Sequence, residues 1–215
     1  YSVLGTYAER LPSMFKFLEK KFRKTLLRSE QKKIYNAEKK AFEVSKNIIL
    51  TSEKEALAIN ELFGQNKAIG IPQAVNCFKR VQLNKENKIL FIGNLMTAQN
   101  IQSLNFIVND IFKELEALGV HYSLFVVGKY DERTKNIVND NENIELLGFV
   151  DDLQSIVNQC SLAIATVAFG TGIKTKVLDS LSMALPTVTN TVGSEGLDLC
   201  DEVHAIVKDS PVELA

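Results

Sequence analysis

The chain has 215 residues, 46% of them hydrophobic and 24% charged, with a net charge of −1, enough for one sizeable core and part of another. A charge so near zero excludes a global field that would recruit nucleic acid. Three widely separated cysteines and two histidines argue against a disulfide framework or a Cys/His zinc site and fit a reducing compartment.

No run approaches the ~18 apolar residues of a membrane span. Tyr1-Ser2-Val3-Leu4 lacks the charged start of a signal peptide, so the chain reads as opening inside something longer. Between Ser13 and Lys40, ten Lys and Arg stand against three Glu, a local excess of seven positive charges that leaves −8 from Ala41 onward. Phe15, Leu18, Phe22, Leu26 and Leu27 recur at spacings of three and four, which predicts one or two helices between Ser13 and Ser45. Such a basic face is read first as solvated, and second as a surface for anionic lipid or an acidic partner.

The short apolar run Asn47–Thr51 predicts a buried strand. Thr51, Ser52, Glu53 and Glu55 form a helix start, and Gly64 stops that helix after Phe63. Ile71–Asn76, with Pro72, reads as a connector.

From Lys88 the rhythm changes. Apolar strands at Ile89–Ile92, Tyr122–Val127, Ile144–Val150, Leu162–Val167, Thr187–Asn190 and His204–Val207 are separated by helical patterns. Those helices are Ile101–Leu118, Asp131–Asn139, Leu153–Cys160 and Lys174–Ala184. The alternation predicts an α/β fold, a Rossmann-like doubly wound parallel sheet. Ligands of such sheets sit beyond the carboxyl ends of the strands, where the strand order reverses. The loops to inspect are therefore Gly93–Asn100, Gly128–Tyr130, Phe149–Asp152, Ala168–Lys174 and Thr191–Leu197.

The densest signal is the loop Gly170-Thr171-Gly172 running into the helix that starts near Lys174. Glycine lets a backbone approach a ligand closely, and a helix N-terminus offers unpaired N–H groups to an anion. The target would be a phosphate or diphosphate, with Lys174 as its cation. The loop is neither a Walker A motif nor a dinucleotide GxGxxG turn. Glycines alone also suit a plain strand-to-helix turn, with Lys176 and Asp179 as a helical surface pair. If the helix were regular from Lys174, two residues would turn the side chain through about 200°, so both lysines could not face one phosphate. His121 and His204 read as strand or surface residues, Cys160 and Cys200 as small buried hydrophobes, and Glu195 as either a cap or a site residue.

Five blocks in order carry a family resemblance: Gly93 after the first strand, Gly148-Phe149-Val150, the Gly170–Lys176 loop, Leu178–Val188 and Gly193–Leu197. With these, Ile89–Leu197 resembles the carboxyl-terminal domain of the GT-B glycosyltransferases, specifically the retaining glycosyltransferase family 4 and a bacterial branch of it. Residues 1–74 resemble the end of that family's amino-terminal, acceptor-side domain, which leaves 75–215 as the donor-binding domain. The resemblance implies that Asp179 grips the nucleotide ribose, as a shorter Asp where the family has Glu. It puts Thr171 where the family has an acid near the sugar, and Asn94 and Gln99 where it has diphosphate cations. The diphosphate then falls to Lys174, aided by Lys176 and the amides of Gly172 and Ile173, with Lys174 and Thr171 at the reacting end. Gly93, Asn94 and Gly128 would line the donor site, and Phe149 and Val150 would border the base.

The function so implied is transfer of a sugar, with retention, from a nucleoside diphosphate sugar to a glycan or lipid-linked acceptor in bacterial polysaccharide assembly. It needs no metal or other cofactor and no nucleic acid, and places the protein in the cytoplasm or at the inner face of the cell membrane. Residues 1–215 alone are expected to bind the donor without transferring sugar. The lost acid at Thr171 and the lost cations at Asn94 and Gln99 leave open a non-catalytic nucleotide-sugar-binding or scaffold subunit. An NAD-dependent oxidoreductase is disfavoured, because Gly93-Asn94-Leu95-Met96 lacks the glycine fingerprint.

Overall fold

A computed structural model of the protein describes residues 29–30, 32–77, 87–139, 141–170 and 172–215. Most of the predicted basic helical stretch lies outside these residues; of it, residues 32–44 (α1) are helical. No helix among the described residues is long and apolar enough to cross a membrane. The chain divides into two compact units between Pro72 and Gln73.

In the first unit, β1 (Ile48–Leu50) leads into α2 (Glu53–Phe63). The Ser52 side chain accepts from the Glu55 N–H, and Gly64 closes the helix at φ 65°, so cap and stop fall where the residues predict them. A strand that the sequence reading lacks, β2 (Ala68–Gly70), pairs in parallel with β1. Three residues are too few to show a period, and a side chain fixes this strand: Asn60 donates to the Ala68 carbonyl at 2.7 Å and accepts from the N–H of Lys67 and Ala68. Phe42 is buried and stacks on Phe63 at 4.7 Å.

The second unit carries a six-stranded sheet, ordered β5-β4-β3-β6-β7-β8 and parallel throughout. Its strands are β3 (Lys88–Ile92), β4 (Ser123–Val127), β5 (Ile144–Gly148), β6 (Leu162–Ile164), β7 (Thr187–Thr189) and β8 (Ile206–Val207). The helices are α3 (Ala98–Phe106), α4 (Phe112–Ala117), α5 (Glu132–Val138), α6 (Leu153–Val157), α7 (Thr175–Ser182), α8 (Thr191–Ser194) and α9 (Pro211–Leu214). A π-helical turn, Ile107–Ile111, joins α3 to α4. The sequence period gave one unbroken helix here. The wider turn is invisible to it because Ile107, Ile111, Phe112 and Leu115 are all buried anyway.

The two faces of the sheet follow the strand period of two. Ile89, Phe91, Leu124 and Val126 pack with Leu104, Ile107 and Val138 of the α3–α5 side. Leu90, Phe125 and Val127 pack with Val157 and Met183 of the α6–α7 side. Each such fully buried side chain stabilises the fold by roughly 1.5–3 kcal/mol. Helices therefore cover both faces, and the winding reverses between β3 and β6. Of the three cysteines, Cys160 is buried as expected, but Cys200 is exposed. It lies in a turn where its N–H donates to His204 Nδ1, away from any strand face.

Candidate functional site

At the carboxyl ends of β3, β4 and β5 the backbone runs through Gly93, Gly128 and Gly148. Gly93 N–H donates to the Val127 carbonyl at 2.9 Å, and Gly128 N–H to the Gly148 carbonyl at 2.8 Å. Gly128 has φ 136°, and a Cβ there would stand 2.0 Å from the Gly93 carbonyl oxygen, so only glycine fits. After Gly93, the Asn94 side chain accepts from Met96 N–H. The Asn94 carbonyl takes bonds from the Thr97 hydroxyl and the Asn100 amide, both at 3.0 Å. Thr97 caps α3. The loop is thus folded back onto the first turn of its own helix.

Just beyond β7, Asn190 clasps the chain as it leaves β6. Its oxygen accepts from Val167 N–H at 2.9 Å and its nitrogen donates to the Val167 carbonyl at 2.9 Å. The Gly-rich loop that follows is tied to α3, because the Gln99 amide donates to the Phe169 carbonyl.

Between these loops, at the reversal of strand order, lies a cavity of about 430 Å³. Gly93, Asn94, Gln99 and Asn100 line it from the α3 side, and Gly170, Ile173, Lys174, Thr175, Lys176 and Asp179 from the α7 side. The first-turn N–H groups of a helix have no partner within it, and no side chain caps those of α7.

Three charged side chains share this cavity. Lys174 is buried; its ammonium donates to the Gly172 carbonyl at 2.5 Å and pairs with Glu195 at 3.5 Å. Lys176 donates to the Thr166 carbonyl at 2.9 Å and to Asn100 Oδ1 at 3.0 Å, with Ser103 Oγ at 3.4 Å. Its ammonium also sits 5.5 Å from the centre of the Phe91 ring. Burial pulls its pKa down to about 8. Asp179 is half-buried, and loss of solvent raises its carboxyl above the usual range. That carboxyl has no hydrogen bond or ion pair to a described residue.

The cavity unites Gly93, Asn94, Ile173, Lys174, Lys176 and Asp179 of the sequence-predicted site. Gly128 stands behind Gly93, and Gly172 contributes its carbonyl to Lys174. Phe149 is exposed, while Val150 packs against the core on the α6 side; neither lines this cavity. Thr171 lies outside the described residues.

Two expectations change. Lys174 is the N-cap, with φ −92° and ψ 95°, so the helical rotation of ~200° does not apply and both lysines reach one cavity. Lys176 is no surface partner of Asp179; it turns inward to α3 and β6. Asn100 was missed as a site residue. Its only sequence signal was a place in the first loop at a carboxyl end.

A second cavity, of about 760 Å³, opens against the other side of α3, walled by Ile101, Phe106, Ile137 and Val167. The buried Thr166 hydroxyl lines it without a partner among the described residues. No group of three or more His, Cys, Asp or Glu among the described residues could hold a metal ion.

Residues 86–215 match the sequence pattern of a family described as glycosyl transferases group 1. A Klebsiella pneumoniae protein, described as an uncharacterized 44.6 kDa protein in the cps region, is 28% identical over 180 residues, covering 77% of this chain and 46% of that protein. The chain thus spans about half the length of this relative. A mutant TarM of S. aureus, solved in complex with UDP among other ligands, matches at TM-score 0.64 and 15% identity over 87% of this chain and 39% of its own. The pneumococcal O-GlcNAc transferase GtfA, solved with UDP and GlcNAc, matches at TM-score 0.62 and 16% identity over 77% of this chain and 34% of its own. At such identities the likeness shows the fold, which is that of the GT-B glycosyltransferases.

Proposed function

Because the chain belongs to the group 1 glycosyl transferases, we propose that its polar cavity binds a nucleoside diphosphate sugar. In the complete protein the sugar passes to a glycan or lipid-linked acceptor in bacterial surface polysaccharide assembly, with retention as in glycosyltransferase family 4. The observation that carries the donor reading is a mismatch of charge. One cavity holds the partly buried Lys176 ammonium, with no carboxylate in ion-pair contact, and the half-buried Asp179 carboxylate, with no donor. A nucleoside diphosphate answers both, since its phosphates are anionic and its ribose hydroxyls donate. Asp179 would accept those hydroxyls, a charge-assisted contact of the stronger kind. As the bond to the sugar breaks, the departing diphosphate gains charge, and the open N–H groups of α7 together with a lysine stabilise it.

UDP is bound in the TarM and GtfA structures, which makes it the first nucleotide to try. A thermal-shift screen of ADP, GDP, CDP, UDP and their common sugar conjugates tests the reading, because a ligand of the native state raises the melting temperature by mass action. One base should shift the melting temperature clearly, and its sugar conjugate should too. No shift by any of them at millimolar concentration would contradict the proposal.

The use of Gln99 as a tether, where the resemblance implies a cation, favours a second reading, a donor-binding subunit without catalysis. Donor hydrolysis by the full-length protein separates the two.

A further inference from the structure

Two lysines stand two residues apart at the start of α7, and they differ in what balances their charge. Lys174 already has a carboxylate, Glu195, at 3.5 Å, and a backbone carbonyl at 2.5 Å. Around Lys176 every partner is neutral: the Thr166 carbonyl from the end of β6, Asn100 and Ser103 from α3, and the Phe91 ring from β3. The other charged groups lining the cavity are Lys174 and Asp179, both on the α7 side. Asp179 does not compensate Lys176, for burial alone accounts for the upward displacement of its carboxyl.

Lys176 is partly buried, and an ammonium withdrawn from water with only neutral partners is costly unless an opposite charge joins it. The open side of Lys176 is the cavity. Resting on the donor reading above, we infer that Lys176 is the cation that balances the donor's diphosphate, while the Lys174–Glu195 pair holds the Gly-rich loop in shape. Lys176 then takes over the work that the resemblance assigns to positions 94 and 99. Those two positions are occupied by Asn94 and Gln99, which shape and tie the loops instead.

The consequence is a proton linkage. The free site holds Lys176 at a pKa of about 8, and a bound diphosphate raises it, because an adjacent anion favours the charged form. Binding therefore takes up a proton above pH 8, and affinity falls as pH rises. The loss from pH 7 to pH 9 is about tenfold for one such group. The nucleotide adds little to this, since its last phosphate ionisation lies near pH 6. A lysine with an ordinary pKa would leave affinity flat over that interval.

The test is calorimetric titration of the chain with ADP, GDP, CDP and UDP at pH 7 and pH 9, with Lys176→Met, Lys176→Arg and Lys174→Met alongside. Whichever nucleotide binds the wild type should bind about tenfold more weakly at pH 9. Lys176→Met should lose at least tenfold at pH 7 and with it the pH dependence. Lys176→Arg should keep its affinity at both pH values, because a guanidinium does not titrate there. Lys174→Met, which loosens the Gly-rich loop, should weaken binding as well but keep the pH dependence, because the titrating group is still present. Wild-type affinity that is flat from pH 7 to pH 9, together with Lys176→Met binding as wild type does, overturns the inference. So does loss of binding in Lys174→Met with Lys176→Met unaffected. If none of the four nucleotides binds the wild type at pH 7, the donor reading itself fails, and the inference goes with it.

Discussion

Helix α3 has a cavity on each side, and the two are unlike. The larger, about 760 Å³, is walled by Ile101, Phe106, Ile137 and Val167 among neutral polar side chains, and the charge on its rim is already satisfied, since Arg133 pairs with Asp131 at 2.7 Å. The smaller, about 430 Å³, holds an ammonium and a carboxylate that the protein does not pair. Volume alone would direct a search to the larger one. Uncompensated charge singles out the smaller, at the reversal of strand order where ligands of such sheets bind. Unbalanced buried charge reduces the stability of the empty protein, so its presence points to something that arrives.

The sharpest way to break the contrast is to alter the wall of the polar cavity without touching its charges. Gly128→Ala would drive a Cβ to within 2.0 Å of the Gly93 carbonyl, at a φ of 136°. It should cost about 3 kcal/mol or more in urea-monitored unfolding. A loss below ~1 kcal/mol would mean that the strand ends are looser than described.

A smaller effect comes from pH alone. The Lys176 pKa of about 8 lies below its ordinary value of 10.5, so between those values the unfolded chain binds more protons than the folded one. Stability of the empty protein should therefore rise with pH, by about 1 kcal/mol from pH 8 to pH 9. Nucleotide affinity moves the opposite way over the same interval. Lys176→Met should remove the rise in stability, and its persistence there would assign it to another group.

How much of this was legible in the sequence depends on the physics involved. Ser52 and Gly64 bound α2 because caps and stops act within a few residues. The strands of the parallel sheet were legible as continuous apolar runs such as Ile89–Ile92, because both of their faces are covered. The Gly-rich loop was legible as a site candidate because the carboxyl ends of parallel strands lie on one side of the sheet, whereas Asp179 entered only through the family resemblance. The role of Lys176 was not. It turns on whether the helix begins at Lys174 or Thr175, and such boundaries are the least certain part of a sequence reading. One residue there decides whether the two lysines point apart or share a cavity. Asn100 was illegible for a related reason, since its partners Lys176 and Asn94 lie 76 and 6 residues away, on α7 and in the loop before α3.

The most direct test of the account compares one residue from each cavity. Calorimetric titration with the nucleoside diphosphate selected by the thermal screen should be run on the wild type, Asp179→Asn and Ile137→Ala. Losing a charged hydrogen-bond partner costs ~1.5–3 kcal/mol, so Asp179→Asn should bind roughly tenfold to a hundredfold more weakly, and should weaken the bare nucleoside alike. Its unliganded form should be at least as stable as wild type near neutral pH, because a carboxyl that burial has raised is removed. Ile137→Ala, in the larger cavity, should bind as wild type does. Unchanged affinity in Asp179→Asn together with weakened binding in Ile137→Ala would place the nucleotide on the other side of α3 and contradict the account.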